Sequence, residues 1–248
     1  MKFNILTLFP EMFESVLGQS MLRNALDNGL IEVELVNIRD FTTDKHHTAD
    51  DYPFGGGPGM ILKPEPVFLA AESVLRDREP GPVPVILLSP QGRKFDQQVA
   101  RELAGRDEIV LICGHYKGID ERIRLHLATD EISLGDFVIT GGELAAAVIV
   151  DAVARLVPGV LGDLASAEGD SFYGGLLEHG NYTKPRDFRG YAVPEVLVGG
   201  NHDAIRRWRR KDSLRRTLLR RPDLLACVDI TGEDKKMLDE IKADSNLN

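Results

Sequence analysis

Cysteine is scarce in this chain. Cys113 and Cys227 are the only two among 248 residues, and their distant, unpaired spacing suggests neither a disulfide framework nor a zinc site. Long apolar runs are missing as well: no stretch approaches the roughly 20 residues that span a bilayer, so no membrane partner is expected. Phe3 to Phe9 is largely apolar, but Pro10 and Glu11 end it before it could serve as the core of a signal peptide. A reducing, cytoplasmic setting is the expectation. Familiar nucleotide fingerprints are also absent. Gly55-Gly56-Gly57-Pro58-Gly59 lacks the Gly-Lys-Ser/Thr ending of a P-loop, and no strand-like run leads into Gly-x-Gly-x-x-Gly. That argues against an ATPase and a dinucleotide dehydrogenase. It also argues against the commonest methyltransferase architecture, whose first strand leads into a glycine turn; here the first strand runs into Leu8-Phe9-Pro10-Glu11.

What is present reads as a globular α/β protein. Lys2–Leu8 forms a first strand, Glu11–Asn28 a helix stopping near Gly29, and Ile31–Ile38 an alternating second strand. The runs Val83–Leu88 and Ile109–Cys113 are separated by a helical stretch, Phe95–Ala104. Strands alternating with helices imply an α/β sheet. Glu143–Val157 is apolar nearly all round and ends at Pro158, which suits a helix buried in a core or a subunit interface. Residues 162–180 turn small and polar and read as a linker between a domain at 1–161 and a helical one at 181–248. In the latter, Asn201 is placed to cap a helix carrying Ile205 and Trp208 on one face, and Leu214 and Leu218 repeat the spacing in the next. Trp208 is expected to pack with Ile205 rather than to stack on a base.

Charge is distributed unevenly. The formal net charge is −9, yet residues 205–221 hold nine basic side chains against Asp212 alone. So dense a block suits phosphate binding by Arg206, Arg209, Arg210 and their neighbours, the alternative being a solvated helix face.

Three glycine-bearing segments lie at the ends of successive strand-like runs: Ser89-Pro90-Gln91-Gly92, Gly114-His115-Tyr116-Lys117-Gly118, and Leu134-Gly135-Asp136-Phe137-Val138-Ile139-Thr140-Gly141-Gly142. Ligands of α/β sheets bind beyond the carboxyl ends of strands, and glycine lets the backbone approach a flat heterocycle. Three such loops can build one pocket; ordinary turn chemistry is the alternative.

These residues also carry a resemblance. Cys113 to Arg122, Ile132 to Leu144, Asp170-Ser171-Phe172, Phe9-Pro10-Glu11-Met12-Phe13, Gly55 to Met60 and Gly200-Asn201-His202 look like the bacterial tRNA (guanine-N1)-methyltransferases of the TrmD family, in order along the chain. The resemblance implies a SPOUT α/β knot, a trefoil-knotted and largely parallel sheet, followed by a small helical tRNA-binding domain. It implies methyl transfer from S-adenosylmethionine to N1 of the guanine immediately 3′ of the anticodon, position 37 of tRNA, by a homodimer with shared active sites. The cofactor would be held by Leu88, Ser89, Pro90, Gly92, Gly114, Tyr116, Gly118, Ser133, Leu134, Gly135, Asp136, Phe137, Val138, Ile139, Gly141 and Gly142. Asp50, Gly55, Gly56 and Gly57 would lie near the target nucleotide. Lys117 stands where many members carry glutamate, which leaves the need for magnesium open.

By the same resemblance Asp170 matches the general base and Arg155 the cation that steadies the reacting base. Both residue types suit a guanine N1, which keeps its proton at neutral pH and gathers charge on O6 when it reacts. Without the family, Arg155 reads as an i,i+4 partner of Asp151 and Asp170 as a solvated carboxylate or helix cap. His46 and His47 read as surface loop. Two other readings stand beside the first: a knotted methyltransferase acting on a ribose hydroxyl or another base, and a non-enzymatic RNA-binding protein on the same scaffold.

Overall fold

A computed structural model describes residues 1–76, 83–162 and 169–244. The chain divides into two compact units, Met1–Gly162 and Asp163–Asn248. Of the expected linker, residues 163–168 lie outside the described residues.

The first unit is built on five parallel strands, β1 (Lys2–Thr7), β2 (Glu32–Asn37), β5 (Val85–Lys94), β6 (Glu108–Cys113) and β7 (Asp130–Ser133), in the order β2-β1-β6-β5-β7. The central runs Phe3 to Thr7, Val85 to Leu88 and Ile109 to Cys113 are buried throughout, as expected of parallel strands covered on both faces. Side chains alternate between the faces. Phe3, Ile5, Ile86, Leu88, Ile109 and Leu111 point into one core together with α2 (Ser20–Asp27), α4 (Gln97–Ala104) and α6 (Glu143–Ala154). Leu6, Val36, Val85, Leu87, Val110 and Ile112 point into the other, against α3 (Pro64–Leu75) and α5 (Glu121–His126). A short hairpin, β3 (Asp50–Asp51) with β4 (Ile61–Leu62), brackets the first glycine loop.

The expected helix over Glu11–Asn28 is broken. A 3-10 turn at Pro10–Phe13 leads into α1 (Glu14–Leu17), which stops at Gly18, and α2 restarts at Ser20, whose φ is 51°. A β-carbon on Gly18 would stand 2.7 Å from the Glu14 carbonyl oxygen, so the chain turns there through a residue without one. Asp96 caps α4 by accepting from the N–H groups of Gln98 and Val99, which moves that helix start from Phe95 to Gln97.

Among the described residues, the second unit holds a two-stranded hairpin, β8 (Asp187–Phe188) with β9 (Tyr191–Ala192), and the helices α7 (His202–Arg220) and α8 (Gly232–Ala243). Where two helices were expected after Asn201, α7 is continuous: no glycine or proline interrupts residues 202–220. Leu214, Leu176, Met237, Leu238 and Ile241 form its core. Trp208 stays outside that cluster, half-buried, with its ring edge-on to His179 and Tyr182 at 6.4 and 6.2 Å. Residues 169–180 pack within this unit. Leu177 N–H donates to the Thr217 hydroxyl, Ser213 Oγ to the Leu177 carbonyl, and Gly180 N–H to Asp212.

Candidate active site

The order β6-β5-β7 makes the three glycine-bearing loops neighbours, because one interrupts β5 and the others leave the carboxyl ends of the adjacent strands β6 and β7. The first is an excursion within β5. Leu88 and Arg93 both register with Ile132 of β7, so Ser89 to Gly92 bulge out between them. Ser89 Oγ donates to Glu131 at 2.6 Å and accepts the Gln91 N–H at 3.0 Å, fixing the bulge. Gly92 packs so tightly on the backbone of Glu131 and Ile132 that a β-carbon has no room. The second loop is anchored outward: Lys117 N–H donates to the Met60 carbonyl and Leu62 N–H to that of Gly118. The third is tied to the second by Gly142 N–H donating to the Gly114 carbonyl at 2.7 Å.

Together the loops line a cavity of about 200 Å³ that opens to solvent. Leu88, Ser89, Pro90, Gly114, Tyr116, Gly118, Ser133, Leu134, Gly135, Phe137, Val138, Ile139, Gly141 and Gly142 all line it. Two expected residues do not. Gly92 faces strand backbone, and Asp136 is exposed at a turn closed by Phe137 N–H on the Gly135 carbonyl. Residues that glycine content could not point to also line the wall, among them Gln91, His115, Lys117, Arg124, Thr140 and Ala145. Arg124 is held by Glu121 and Glu131, and Ala145 lies in the first turn of α6.

Beneath the cavity lies a buried polar cluster. Glu143, 2% exposed at the N-terminus of α6, accepts from the Thr7 hydroxyl at 2.8 Å; a helix start favours a carboxylate there. Its other oxygen lies 3.6 Å from Nδ1 of His115. That nitrogen is buried and makes no hydrogen bond among the described residues. A β-carbon on Gly141 would collide with Glu143 and His115 together, and one on Gly142 would stand 2.6 Å from Cα of Cys113. Burial, with the Glu143 charge adding to it, pushes the Cys113 thiol well above its ordinary range, so this cysteine is inert core.

The remaining sequence candidates are placed as follows. Arg155 caps the C-terminus of α6, its N–H on the Asp151 carbonyl. Asp170 opens a turn in the second unit: its carbonyl accepts from Tyr173 N–H, Phe172 has φ of 70°, and Ser171 Oγ accepts from Glu178 N–H. Asp50 is buried in β3, while Gly55, Gly56 and Gly57 are exposed with positive φ.

The basic helix α7 meets more acid than its own sequence shows. Arg210 makes a two-pronged contact with buried Asp234, at 2.8 and 2.9 Å, and pulls that carboxyl down to about 2 against the opposing effect of burial. Burial pushes Asp212 up, but Arg215, the Gly180 N–H and Arg216 outweigh it and hold it low. Arg206 pairs with Asp203, and Arg207 and Lys211 with Glu240. Arg209 and Arg220 are exposed with no ion pair among the described residues.

Among the described residues no helix is long and apolar enough to cross a membrane. Residues 1–227 match the family described as tRNA (Guanine-1)-methyltransferase TrmD. The chain is 59% identical over 246 residues to the tRNA (guanine-N(1)-)-methyltransferase of Dehalococcoides mccartyi (strain CBDB1), with 99% of both chains covered. It is 56% identical over 243 residues to the protein of that name in Desulforamulus reducens, covering 98% of this chain and 95% of the relative. It is likewise 56% identical over 242 residues to that of Bacillus cereus (strain G9842), covering 98% and 99%.

Proposed function

The chain belongs to the TrmD family of tRNA (guanine-N1)-methyltransferases, and from that premise we propose that it methylates N1 of the guanine immediately 3′ of the anticodon, position 37 of tRNA. The observation that carries the proposal is the single cavity built by the loops after β5, β6 and β7. Its residues fit S-adenosylmethionine, the family's methyl donor. Gly114, Gly118, Gly135, Gly141 and Gly142 leave the loop backbone free to meet a heterocycle, and Leu88, Ile132 and Ala145 give it an apolar wall. When bound, that group supplies a methyl activated by its sulfonium. In this reading the chain is threaded through these loops as the family's trefoil knot.

The chain's own residues supply the rest. Asp170 takes the proton from guanine N1, since the nucleophile is the ring nitrogen's lone pair. Arg155 holds the negative charge that gathers on O6. The Gly55–Gly57 rim and Asp50 receive the target nucleotide, and Arg206 and Arg209 of α7 hold tRNA phosphates, with Arg210 serving both RNA and Asp234. The protein acts in the cytoplasm as a homodimer with shared active sites. The Lys117 ammonium offers no lone pair to a magnesium ion, so any such ion would be held by carboxylate, water and substrate oxygens instead.

Asp170→Ala tests the assignment of roles. Single-turnover methyl transfer is expected to fall by about 10²–10⁴, the usual worth of a positioned base, with calorimetric S-adenosylmethionine affinity unchanged. A parallel loss of cofactor affinity would remove Asp170 from the chemical step.

A further inference from the structure

We infer that Lys117 and the exposed aromatics Tyr52 and Phe54 form a second grip on RNA beside the cofactor cavity, holding an unpaired nucleotide next to the one that is modified. The inference rests on the methyl-transfer reading and adds residues that reading does not use.

Lys117 lines the cavity with an exposed side chain and has no acidic partner among the described residues. Its position is nevertheless defined. The stem lies across the glycine rim: a β-carbon on Gly59 would stand 3.4 Å from Cβ of Lys117, and one on Gly57 3.5 Å from its Nζ. The backbone N–H of Lys117 donates to the Met60 carbonyl at 3.1 Å, fastening the two segments to each other. The ammonium thus lies at the rim, with no ion pair among the described residues.

The rim itself is bare. Gly55, Gly56, Gly57 and Gly59 have φ of 84°, 79°, 111° and 88°, values that side-chain-bearing residues adopt only under strain. At Gly55 and Gly56 a β-carbon would meet nothing within 4 Å, so a sugar-phosphate backbone can approach closely. Immediately before this rim, Phe54 is fully exposed at 101% and Tyr52 is 75% exposed. The preceding Asp51 carboxylate accepts from the Tyr52 N–H.

Two aromatic faces in water, an ammonium with no ion pair among the described residues and a rim open at Gly55 and Gly56 match single-stranded RNA. Aromatic rings stack on splayed bases, and lysine pairs with phosphate as a compact point charge. A protein partner would call for an apolar patch around Phe54, whereas its neighbours are Pro53 and glycines.

The test is binding of an unmodified tRNA transcript by the full-length chain, followed by fluorescence anisotropy across a salt series, with calorimetric S-adenosylmethionine binding alongside. Phe54→Ala is expected to weaken tRNA binding roughly ten-fold, as loss of one base stack does. Phe54→Leu, which keeps apolar bulk without the ring, is expected to lose most of the same affinity. Lys117→Gln is expected to lower the slope of log affinity against log salt by about 0.7, one single-strand phosphate contact. Cofactor affinity is expected to hold in all three variants. Unchanged tRNA affinity and salt slope in a Phe54→Ala, Lys117→Gln double variant would overturn the inference. So would a Lys117→Gln variant that loses cofactor rather than tRNA, since the lysine would then be a cofactor ligand. Because the readout is binding, a wild-type protein that grips tRNA through these residues yet methylates another atom would overturn the functional reading and leave the grip standing.

Discussion

A methyl group at Gly142 would press on Cα of Cys113 at 2.6 Å and on the Gly114 amide at 3.0 Å. The glycines of these loops therefore serve chain-to-chain approach as much as ligand approach. Sequence reasoning assigned all of them to the ligand, because a glycine's missing side chain looks the same from either side. Gly92 shows the difference: it packs on Glu131 and Ile132 and is not among the residues lining the cavity. Asp136 is the converse case, a residue included for its place in a motif whose side chain sits in solvent beside a tight turn. His115 and Glu143 lay within motifs read for their glycines, and their pairing joins residues 28 apart, beyond the reach of any spacing rule. Gly142→Ala is expected to cost about 1–3 kcal/mol of stability through overpacking and to weaken S-adenosylmethionine binding, because the second and third loops are joined by the Gly142–Gly114 hydrogen bond. Thermal unfolding and calorimetry on the variant measure both; an unshifted midpoint with full affinity would contradict the packing account.

Elements were legible where local chemistry governs them. The buried runs of β1, β5 and β6 and the apolar α6 can be read from composition, and Asn201 caps α7 as expected through its contact with Ala204 N–H. The ionic character of α7 was not legible. A local count shows nine basic residues against one acid, but Asp234 and Glu240 arrive from α8 and pair with Arg210, Arg207 and Lys211. The Arg210–Asp234 pair and the Thr231–Asp234 capping box fasten the start of α8 to α7. Asp234 titrates near 2 when folded, below its ordinary 3.8. Its contribution is therefore complete above about pH 4 and lost as the pH falls through 2. Arg210→Ala strands a buried carboxylate, and the half-exposed guanidinium keeps the cost to about 1–2 kcal/mol. Chemical denaturation at pH 7 and at pH 2 checks both statements. The variant's deficit is expected at pH 7 and to shrink at pH 2; an equal deficit at both would mean that the charge pair is not its source.

At the scale of the whole molecule, an α/β sheet could be expected from alternating strands and helices, but strand order could not. That order decides the site, since the neighbours β6, β5 and β7 bring three loops, spread between Ser89 and Gly142, to one cavity. The proposed dimer belongs to this scale too. Leu144 and Val148 of α6 are 56% and 48% exposed, and Phe137 and Val138 of the third loop 56% and 84%, an apolar surface that a second copy would cover. Sedimentation is expected to find a dimer that Leu144→Asp with Val148→Asp shifts toward monomer. A wild-type monomer at micromolar concentration would contradict the shared-site reading.

The central claim is the atom that receives the methyl group. Labelled S-adenosylmethionine, the protein and an unmodified tRNA transcript with guanine 3′ of the anticodon, followed by nuclease digestion and mass spectrometry of the nucleosides, identify it directly. 1-Methylguanosine is expected at that single position, and none in a transcript carrying adenine there. Label on a ribose, on another base, or on no nucleoside at all would contradict it.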